Sequence, residues 1–280
     1  MTNQQKLTTF FKEDIRYVAH RFGYKTSQLP ENSFEALRFI FDNEEYIQTI
    51  SSIEFDINLT KDGHLVVVHD ANLNKLSDSD KDIKDLTLEE FKQVNFTYRE
   101  GDSNKNNQVF KAPTLVELFD YLMTKLELLK GKTLRIESKG DEYFDDRLIT
   151  VLFNVLKDYP KLHQHIEHIT FMDEYISEFD HLRKKYDFKI KNEKLFWGGW
   201  DVPLERQNDV FDLVGMDFDN PKLTNDFVKD WKHICFYTVN TKEDILTLLS
   251  NVDVAAFRGK TIYLTTDDYT ELEKLRKEYN

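Results

Sequence analysis

The sequence predicts an α/β fold in which eight parallel strands alternate with helices around a closed barrel. Short runs rich in β-branched residues alternate with amphipathic segments along nearly all of the 280 residues, a pattern typical of repeated strand-crossover-helix units. Eight such runs are present, which is the number that a (βα)8 or TIM barrel requires. We therefore predict a single TIM-barrel domain over residues 1–280, with residues 71–112 as an insertion within it.

The predicted strands are apolar runs of about strand length, and helical spacing of apolar residues marks the segments between them. In chain order the strands are Ile15–His20, Ser52–Asn58, Thr133–Lys139, His168–Asp173, Leu195–Trp200, Leu213–Phe218, His233–Val239 and Thr261–Thr266. The helices are Ser33–Gln48, Leu115–Leu129, Arg147–Lys157, Glu174–Tyr186, Asp226–Trp231, Lys242–Leu249 and Tyr269–Tyr279. Asn32 is the predicted cap of the first helix because Glu35 follows three residues later, as in a capping box.

Residues 65–69 form an additional predicted strand, and the segment that follows it differs from an ordinary barrel loop. This segment, from Ala71 to Ala112, is polar and long. Its two charge-rich stretches, SDSDKD and EGDSNKNN, have the composition of solvated surface.

Composition excludes several classes of function. With 38 basic and 51 acidic residues the formal charge is −13, so no general field attracts nucleic acid or an anionic membrane. A phosphate substrate would need local compensation from a cation or from a few basic groups. The single cysteine, Cys235, excludes a disulfide framework. Because no apolar run has the length of a signal or a membrane span, we expect a cytoplasmic protein without stable membrane insertion; no protein partner is evident.

Two acids interrupt the second predicted strand, and a histidine ends the strand that follows it. Asp62-Gly63 between the two apolar runs predicts a hairpin with a two-residue type I′ turn. That turn would place Asp56 opposite His69, and Glu54 would project from the same face because it lies two residues before Asp56. Two carboxylates this close repel unless a proton or a divalent cation lies between them. The alternative is an edge ribbon whose polar face only meets water.

Other polar residues stand at the ends of neighbouring strands. The first strand ends in His20-Arg21, and the third carries Glu137 and Lys139 two residues apart, hence on one side. The carboxyl ends of barrel strands meet at one rim, so these side chains are expected to join those of the hairpin. Two histidines, three carboxylates and two basic groups suit the cleavage of a phosphate ester through acid and base catalysis beside a hard cation.

The motifs AHRFG, PENSFEA, IEFDINLTKDG and VVVHD resemble, in this order, those of the glycerophosphodiester phosphodiesterase family. The likeness continues in NLNKLSD, DLTLEEF, APTLVEL, RIESK and YTVNTKED, and covers most of the chain from Val18 to Asp268. The resemblance implies a phosphodiesterase-type TIM barrel that hydrolyses a small glycerophosphodiester to glycerol phosphate and an alcohol, in lipid or glycerol metabolism. It implies a divalent cofactor, Ca2+ or Mg2+.

The resemblance also implies roles for particular positions. The family's catalytic histidines correspond to His20 and His69, and its metal carboxylates to Glu54, Asp56 and Glu137. Its substrate-binding groups correspond to Arg21, Lys139 and Tyr237, and its supporting acid to Glu31. Two alternatives remain: a related phospholipase C- or D-like barrel that acts on lipid headgroups, and a catalytically inactive barrel that binds a phosphorylated ligand.

The chain departs from the family pattern at several positions. Phe22 stands where the family usually has a glycine after His-Arg, with Gly23 one place later, and Tyr237 stands where a tryptophan is common. The glycine-rich approach to the last strand is replaced by FRGKTIYLTTD. Trp197 and Trp200 are candidates either for the mouth of the barrel or for its core. The histidines of LHQHIEH, which are His163, His165 and His168, are expected at the opposite rim and not at a metal site.

Overall fold

Eight parallel strands close into a barrel in this computed structural model, which describes residues 1–97, 109–140, 142–197 and 210–280. The barrel closes because β1 pairs with both β2 and β9, while a short antiparallel strand, β3, is added to the end of β2. The strands are β1 (Asp14–Ala19), β2 (Ile50–Leu59), β3 (Leu65–Val67), β4 (Thr133–Ser138), β5 (Ile166–Thr170), β6 (Lys191–Phe196), β7 (Leu213–Asp217), β8 (His233–Tyr237) and β9 (Thr261–Thr266). The predicted barrel is thus confirmed.

Helices surround the barrel, and most of them bury apolar residues against it. They are α1 (Asn3–Phe10), α2 (Tyr24–Ser27), α3 (Phe34–Asp42), α4 (Glu44–Thr49), α5 (Leu88–Gln93), α6 (Leu115–Met123), α7 (Leu148–Asp158), α8 (Asp173–Lys185), α9 (Asn225–Asp230), α10 (Lys242–Asn251) and α11 (Tyr269–Tyr279). The sequence analysis did not predict α1, which begins with a capping box at Thr2 and buries Leu7 and Phe10.

The first predicted helix is two helices, α3 and α4, because Asn43 adopts an extended conformation between them. Its cap is Ser33, whose Oγ accepts a hydrogen bond from the Ala36 N–H at 3.1 Å. The prediction that Asn32 caps this helix is wrong. Asn32 has a left-handed backbone with φ of 56°, and its Nδ2 donates to Asp56 Oδ2 at 2.8 Å. The residue that the pattern assigned to a helix end is therefore part of the site.

The predicted strands His168–Asp173 and Leu195–Trp200 begin too late. In the structure β5 starts at Ile166 and β6 starts at Lys191, and Trp200 lies outside the described residues. The error has one cause. Each strand has a glutamate near its start that looks solvated in sequence, yet Glu167 and Glu193 are buried inside the barrel, where both pair with Arg135.

The hairpin register is shifted by one residue from the prediction. Ile57 pairs with Val67 and Leu59 with Leu65, and Thr60 N–H donates to the His64 carbonyl at 2.9 Å. Three residues therefore form the loop, and only the last, Gly63 (φ 85°), has a positive φ, as in a three-residue hairpin loop. His69 is not in the ladder opposite Asp56, because β3 ends at Val67.

The described residues between 71 and 112 include α5 and form a second apolar cluster. It contains Leu73, Leu76, Ile83, Leu86, Phe91, Val94, Phe96, Phe110 and Ala112, and it packs on the outward side of β3 through Val66 and Val68. This cluster is separate from the main core, which lies between the barrel and its helices. The charge-rich stretch EGDSNKNN lies entirely outside the described residues.

The three histidines of LHQHIEH contact the protein itself. His163 Nε2 lies 2.7 Å from the Leu156 carbonyl oxygen and His165 Nδ1 lies 3.2 Å from the Lys132 carbonyl oxygen. His168 belongs to β5 and not to the preceding loop; its ring stacks on Phe179 with a centroid distance of 4.0 Å. In the described parts of the chain, the group of side chains arranged to hold a metal lies elsewhere.

We expect the free energy of unfolding to fall between about pH 6.5 and about pH 4. Burial lowers the pKa of His168 to about 4, whereas a histidine in an unfolded chain titrates near 6.5. In this window the unfolded chain binds more protons than the folded protein, so acid favours unfolding.

The measurement is urea unfolding at about pH 7.5 and about pH 5, comparing the native protein with His168→Gln. Glutamine can replace the bonds of His168 to Asn192 and Ser138, and the variant should lose about 2 kcal/mol less across this interval. His64→Gln, directly after the hairpin loop, is the matched control. Equal losses in the native protein and His168→Gln would contradict the assignment.

Candidate active site

Three carboxylates converge at the C-terminal end of the barrel. Glu54 and Asp56 lie two residues apart on β2 and so share a face, and Asp56 is the register partner of Glu137 on β4. One ligand oxygen from each of the three lies within 4.8 Å of the others, and all three residues are buried. The sequence pattern predicts this cluster, which we call the acidic triad.

Burial of the acidic triad affects the pKa values of its carboxyls, because burying negative charge is unfavourable. Burial raises the pKa of Glu54 well above its usual value, and Asp56 and Glu137 add to that rise. Burial also opposes ionisation of Asp56, but His69, Arg21 and Lys139 outweigh it and hold the pKa of Asp56 below its usual range. The pKa values of these two adjacent carboxyls are thus shifted in opposite directions.

The acidic triad has the donor atoms that a hard divalent cation requires. Glu54 Oε1 and Asp56 Oδ1 are buried, and neither has a hydrogen-bond partner within the described parts of the chain. Buried carboxylate oxygens without donors are costly, and carboxylate oxygens are the preferred ligands of Ca2+ and Mg2+. The residues present therefore fit a divalent cation.

His20 follows β1 and is held by an aspartate from the other side of the barrel closure. Its Nδ1 lies 2.6 Å from Asp267 Oδ1, just after β9, and its Nε2 lies 3.9 Å from Glu54 Oε2. Asp267 also accepts from Asn240 Nδ2 at 3.0 Å and pairs with Lys25 at 2.9 Å. Burial opposes ionisation of Asp267, but His20 and Lys25 lower its pKa below the usual range. The Nε2 atom of His20 is left to act in the cavity.

His69 reaches the site although it lies beyond the hairpin ladder. Asn58 Nδ2 donates to the carbonyl oxygens of Val68 and His69, at 2.9 and 3.2 Å, and so fixes the chain after β3. His69 Nδ1 lies 2.5 Å from Asp70 Oδ1, and its Nε2 lies 3.3 Å from Lys139 Nζ. Each of the two histidines therefore has an aspartate at Nδ1.

Two basic side chains complete the charged part of the site. The Arg21 backbone N–H donates to Glu54 Oε2 at 2.9 Å, and its Nη1 donates to Glu31 Oε1 at 3.0 Å. Lys139 Nζ donates to Glu137 Oε1 at 2.7 Å. Both basic residues are buried and both line the same cavity as the two histidines.

The Phe22 substitution retains the backbone conformation that a glycine would take. Arg21, Phe22 and Gly23 all have left-handed φ values, of 47°, 67° and 62°, and a non-glycine residue there costs roughly 1–2 kcal/mol. The Phe22 ring is fully buried and packs on Phe55 with a centroid distance of 5.5 Å, which offsets that cost. At Gly23 a Cβ would lie 2.5 Å from the Tyr269 ring, so the glycine is needed there.

The cavity between these groups has a volume of about 370 Å³, within the usual range for small ligands. Phe171, Trp197 and Tyr237 form one of its walls. The Tyr237 hydroxyl donates to the Phe196 carbonyl at 2.6 Å, and Trp197 remains 48% exposed. Trp197 thus lies at the mouth and not in the core.

Beneath the cavity lies a buried ionic network that the sequence analysis missed. Arg135 on β4 bonds to Glu167 at 3.1 Å, to Glu193, and to Cys235 Sγ at 3.0 Å. Burial raises the pKa of Glu193 to about 7, against the opposing effect of Arg135. This network forms a polar floor to the cavity. Cys235 is therefore a hydrogen-bonded side chain and not simply a small apolar residue that fills space. The signal was one charged residue inside each of these strands, at Arg135, Glu167 and Glu193.

Four further residues position the site without having been assigned to it. Asn32, Asn58, Asp70 and Asp267 each bond to an expected site residue. Asp70 ends the motif VVVHD directly after His69, so it had a signal among the matching motifs, whereas Asp267 ends FRGKTIYLTTD, which departs from the family pattern. For Asn58 no local pattern exists, because its partners are backbone carbonyls.

A parallel (βα)8 barrel with histidines, carboxylates and basic groups at the ends of its first strands belongs to the class of barrels whose chemistry lies at the C-terminal rim. The chain belongs to the glycerophosphoryl diester phosphodiesterase family, whose family model matches residues 23–251.

Individual relatives agree with the family assignment. A glycerophosphodiester phosphodiesterase from Caldanaerobacter subterraneus is 32% identical over 164 residues, which is 54% of this chain and 63% of the relative. The match thus spans less than two thirds of that relative's length.

Solved structures of low identity share the fold. A glycerophosphodiester phosphodiesterase from Parabacteroides distasonis superposes with a TM-score of 0.70 at 22% identity, over 96% of this chain and 99% of the other. An Oleispira antarctica phosphodiesterase in complex with the product sn-glycerol-3-phosphate superposes with a TM-score of 0.69 at 20% identity, over 94% and 97% of the two chains.

In the parts of the chain that the structure describes, no helix is both long enough and apolar enough to cross a bilayer.

Proposed function

We propose that this protein hydrolyses small glycerophosphodiesters to glycerol phosphate and an alcohol with the help of a divalent cation. One observation supports this most directly. Two histidines, each bonded through Nδ1 to an aspartate, line the same cavity as the acidic triad and two basic side chains. The family assignment supplies the substrate class.

The acidic triad would hold Ca2+ or Mg2+ through Glu54, Asp56 and Glu137. When bound, the cation would neutralise charge on the phosphoryl group and on the triad itself. Arg21 and Lys139 would contact the phosphoryl oxygens that remain. Glu31 would hold the Arg21 guanidinium in place, since both of its oxygens bond to Nη1, at 3.0 and 3.2 Å.

The two histidines are proposed to move the protons of the reaction. One imidazole accepts a proton from the attacking oxygen, which belongs either to water or to the substrate's own glycerol hydroxyl, and the other donates a proton to the leaving oxygen. If the glycerol hydroxyl attacks, water must then open the cyclic phosphate that forms. Asp267 and Asp70 hold the rings by their Nδ1 atoms, so that each Nε2 is the atom available to the substrate. When the P–O bond breaks, the leaving group therefore departs as an alcohol and not as an alkoxide.

The remaining assignments concern the surroundings of the reaction. Tyr237 would contact the substrate as part of the cavity wall. We propose that residues 1–280 work as one barrel domain and that residues 71–112 are an insertion, which agrees with their separate apolar cluster. A cytoplasmic location and a role in lipid or glycerol metabolism complete the proposal.

The proposed activity is tested by release of glycerol phosphate from glycerophosphocholine, glycerophosphoethanolamine and glycerophosphoglycerol. We expect release from at least one diester, and its loss when a chelator is added, because the acidic triad needs a cation to balance its charge. Lysophosphatidylcholine and phosphatidylinositol are included as lipid substrates. Cleavage of these lipids alone would favour a phospholipase, and cleavage of nothing would favour an inactive binding barrel.

A further inference from the structure

The motif YTVNTKED contains an asparagine to which the proposed function gives no role. Asn240 follows β8 in the chain and directly precedes Thr241, the cap of α10. Its backbone N–H donates to Asp244 Oδ2 at 2.8 Å, and Asp244 belongs to the capping box of that helix. The first turn of α10 therefore fixes the position from which the Asn240 side chain extends.

The Asn240 amide bonds to both the backbone and the side chain of Asp267. Its Nδ2 donates to Asp267 Oδ2 at 3.0 Å, and its Oδ1 accepts from the Asp267 N–H at 2.9 Å and from Thr266 Oγ1 at 3.1 Å. Asparagine carries a donor and an acceptor on one short side chain. An ionised aspartate could not donate to the carboxylate, so the residue type matters at this position.

The two oxygens of the Asp267 carboxylate have different partners. Oδ1 lies 2.6 Å from His20 Nδ1, whereas Oδ2 accepts from Asn240 and lies 2.9 Å from Lys25 Nζ. Hydrogen bonds to an ionised carboxylate are stronger than those between neutral groups. The contacts at Oδ2 thus set the rotation of the carboxylate about its Cβ–Cγ bond, and with it the direction in which Oδ1 holds the imidazole.

Backbone hydrogen bonds already hold the chain around Asp267. The Val239 N–H donates to the Thr265 carbonyl at 2.9 Å, and the N–H groups of Lys25 and Thr26 donate to the Asp267 carbonyl at 3.2 and 3.4 Å. The side-chain contacts at Oδ2 therefore add the orientation of the carboxylate to a backbone that is fixed without them.

The two histidines differ in how they obtain their aspartates. Asp70 follows His69 directly, so the backbone itself brings this pair together. Asp267 lies 247 residues from His20 in the chain, and its carboxylate approaches from another strand, where its own neighbours must orient it. A catalytic group displaced by about 1 Å can cost roughly 100-fold in rate, so this orientation matters for turnover.

We propose that Asn240 and Lys25 are positioning residues for His20, which act by fixing the Asp267 carboxylate. The inference rests on the proposed function, in which His20 moves a proton. The imidazole contributes to the transition state more than to the binding of the phosphoryl group. Loss of a positioning residue therefore lowers kcat and leaves KM nearly unchanged.

The first test is steady-state kinetics on the best diester of the panel. Asn240→Ala and Asn240→Asp should each lower kcat by about 10- to 100-fold, the second because it places another carboxylate against Asp267. Lys25→Ala, at an exposed residue, should lower kcat by about 2- to 5-fold, and Lys25→Arg should restore it. The control is Asn95→Ala, which removes a similar bond to Asp78 Oδ2 at 2.6 Å and should keep the native kcat.

A double variant shows whether the effect passes through His20. In a His20→Ala background, Asn240→Ala should lower kcat by less than about 2-fold, because the group that it positions is absent. An undiminished loss in this background, a native kcat in Asn240→Ala, or a raised KM with kcat unchanged would overturn the inference. If neither Asn240 variant folds, a native kcat in Lys25→Ala overturns it.

Proton NMR separates this inference from the proposed function. The bond from His20 Nδ1 to Asp267 should give a strongly deshielded imidazole proton, assigned by its disappearance in His20→Ala. In Asn240→Ala this resonance should broaden or move, whereas Asn95→Ala should keep it. If no diester is hydrolysed, the proposed function fails, and this resonance still decides the positioning role. An unchanged resonance in Asn240→Ala would contradict that role.

Discussion

Replacement of either His20 or His69 by alanine is expected to lower turnover by roughly two to four orders of magnitude, the usual worth of a positioned acid or base. Each ring lines the cavity and presents Nε2 to it, since an aspartate occupies Nδ1. KM should change far less, because Arg21 and Lys139 remain. Steady-state kinetics on the best diester of the panel measures both parameters.

The two histidines should be distinguishable by the leaving group. A diester of p-nitrophenol needs little protonation of its leaving oxygen, so the variant that lacks the general acid should recover much of its rate on this substrate. The rate of the native protein should show a bell-shaped dependence on pH, and each variant should lose one limb.

The control variants replace two histidines at the opposite rim of the barrel. His163→Ala removes an imidazole that bonds to the Leu156 carbonyl far from the cavity, and His165→Ala removes one that bonds to the Lys132 carbonyl; turnover should hardly change in either. Circular dichroism must show that all variants are folded. Near-normal turnover of His20→Ala on every diester would exclude the proposed acid and base pair, and the inactive binding barrel would then be the better interpretation.

Removal of the divalent cation is expected to abolish most of the activity and to lower stability. Without the metal, Arg21 and Lys139 are left to offset the charge of three buried carboxylates. A bound metal also contributes several kcal/mol to phosphoryl charge stabilisation. A ligand that binds only the folded state adds about 2.7 kcal/mol when present at 100 times its Kd. Thermal unfolding with Ca2+, with Mg2+ and with chelator therefore gives a measurement that does not depend on activity.

The matched variants change a carboxylate to its amide. Asp56→Asn keeps the shape of the side chain but removes one charge from the acidic triad, so the stabilisation by the cation should largely disappear. Glu142→Gln changes an exposed carboxylate that accepts from the Ala71 N–H at 2.9 Å and should retain the full response. A chelated protein of unchanged activity, or native unfolding that does not respond to either ion, would exclude the metal site.

The acidic triad was predictable because it follows from local periodicity. Glu54 and Asp56 share a face in any extended strand, and Glu137 and Lys139 repeat the same spacing on another strand. Once parallel strands are assumed, their carboxyl ends meet at one rim, and Asp56 and Glu137 are register partners as a result. These residues needed only the period of a strand and the barrel class.

The hairpin shows that a correct location can follow from an incorrect register. The Asp62-Gly63 pattern predicted a two-residue turn, whereas the loop contains three residues and Asp62 has no positive φ. His69 still reaches the site, because Asn58 holds the carbonyls of Val68 and of His69 itself. A bond from a side chain to a distant backbone atom has no sequence pattern, so the prediction of the ladder could not include it.

The sequence by itself determined the barrel class, the acidic triad and the pair of strand-end histidines, because strand periodicity and parallel order are properties of short segments. Only the tertiary structure decided what surrounds them. The partner of His20 lies 247 residues away at Asp267, and the ionic floor forms because three strands bring Arg135, Glu167 and Glu193 together. Buried charges are stable only when such partners meet, and partners that are distant in the chain meet only when the barrel closes.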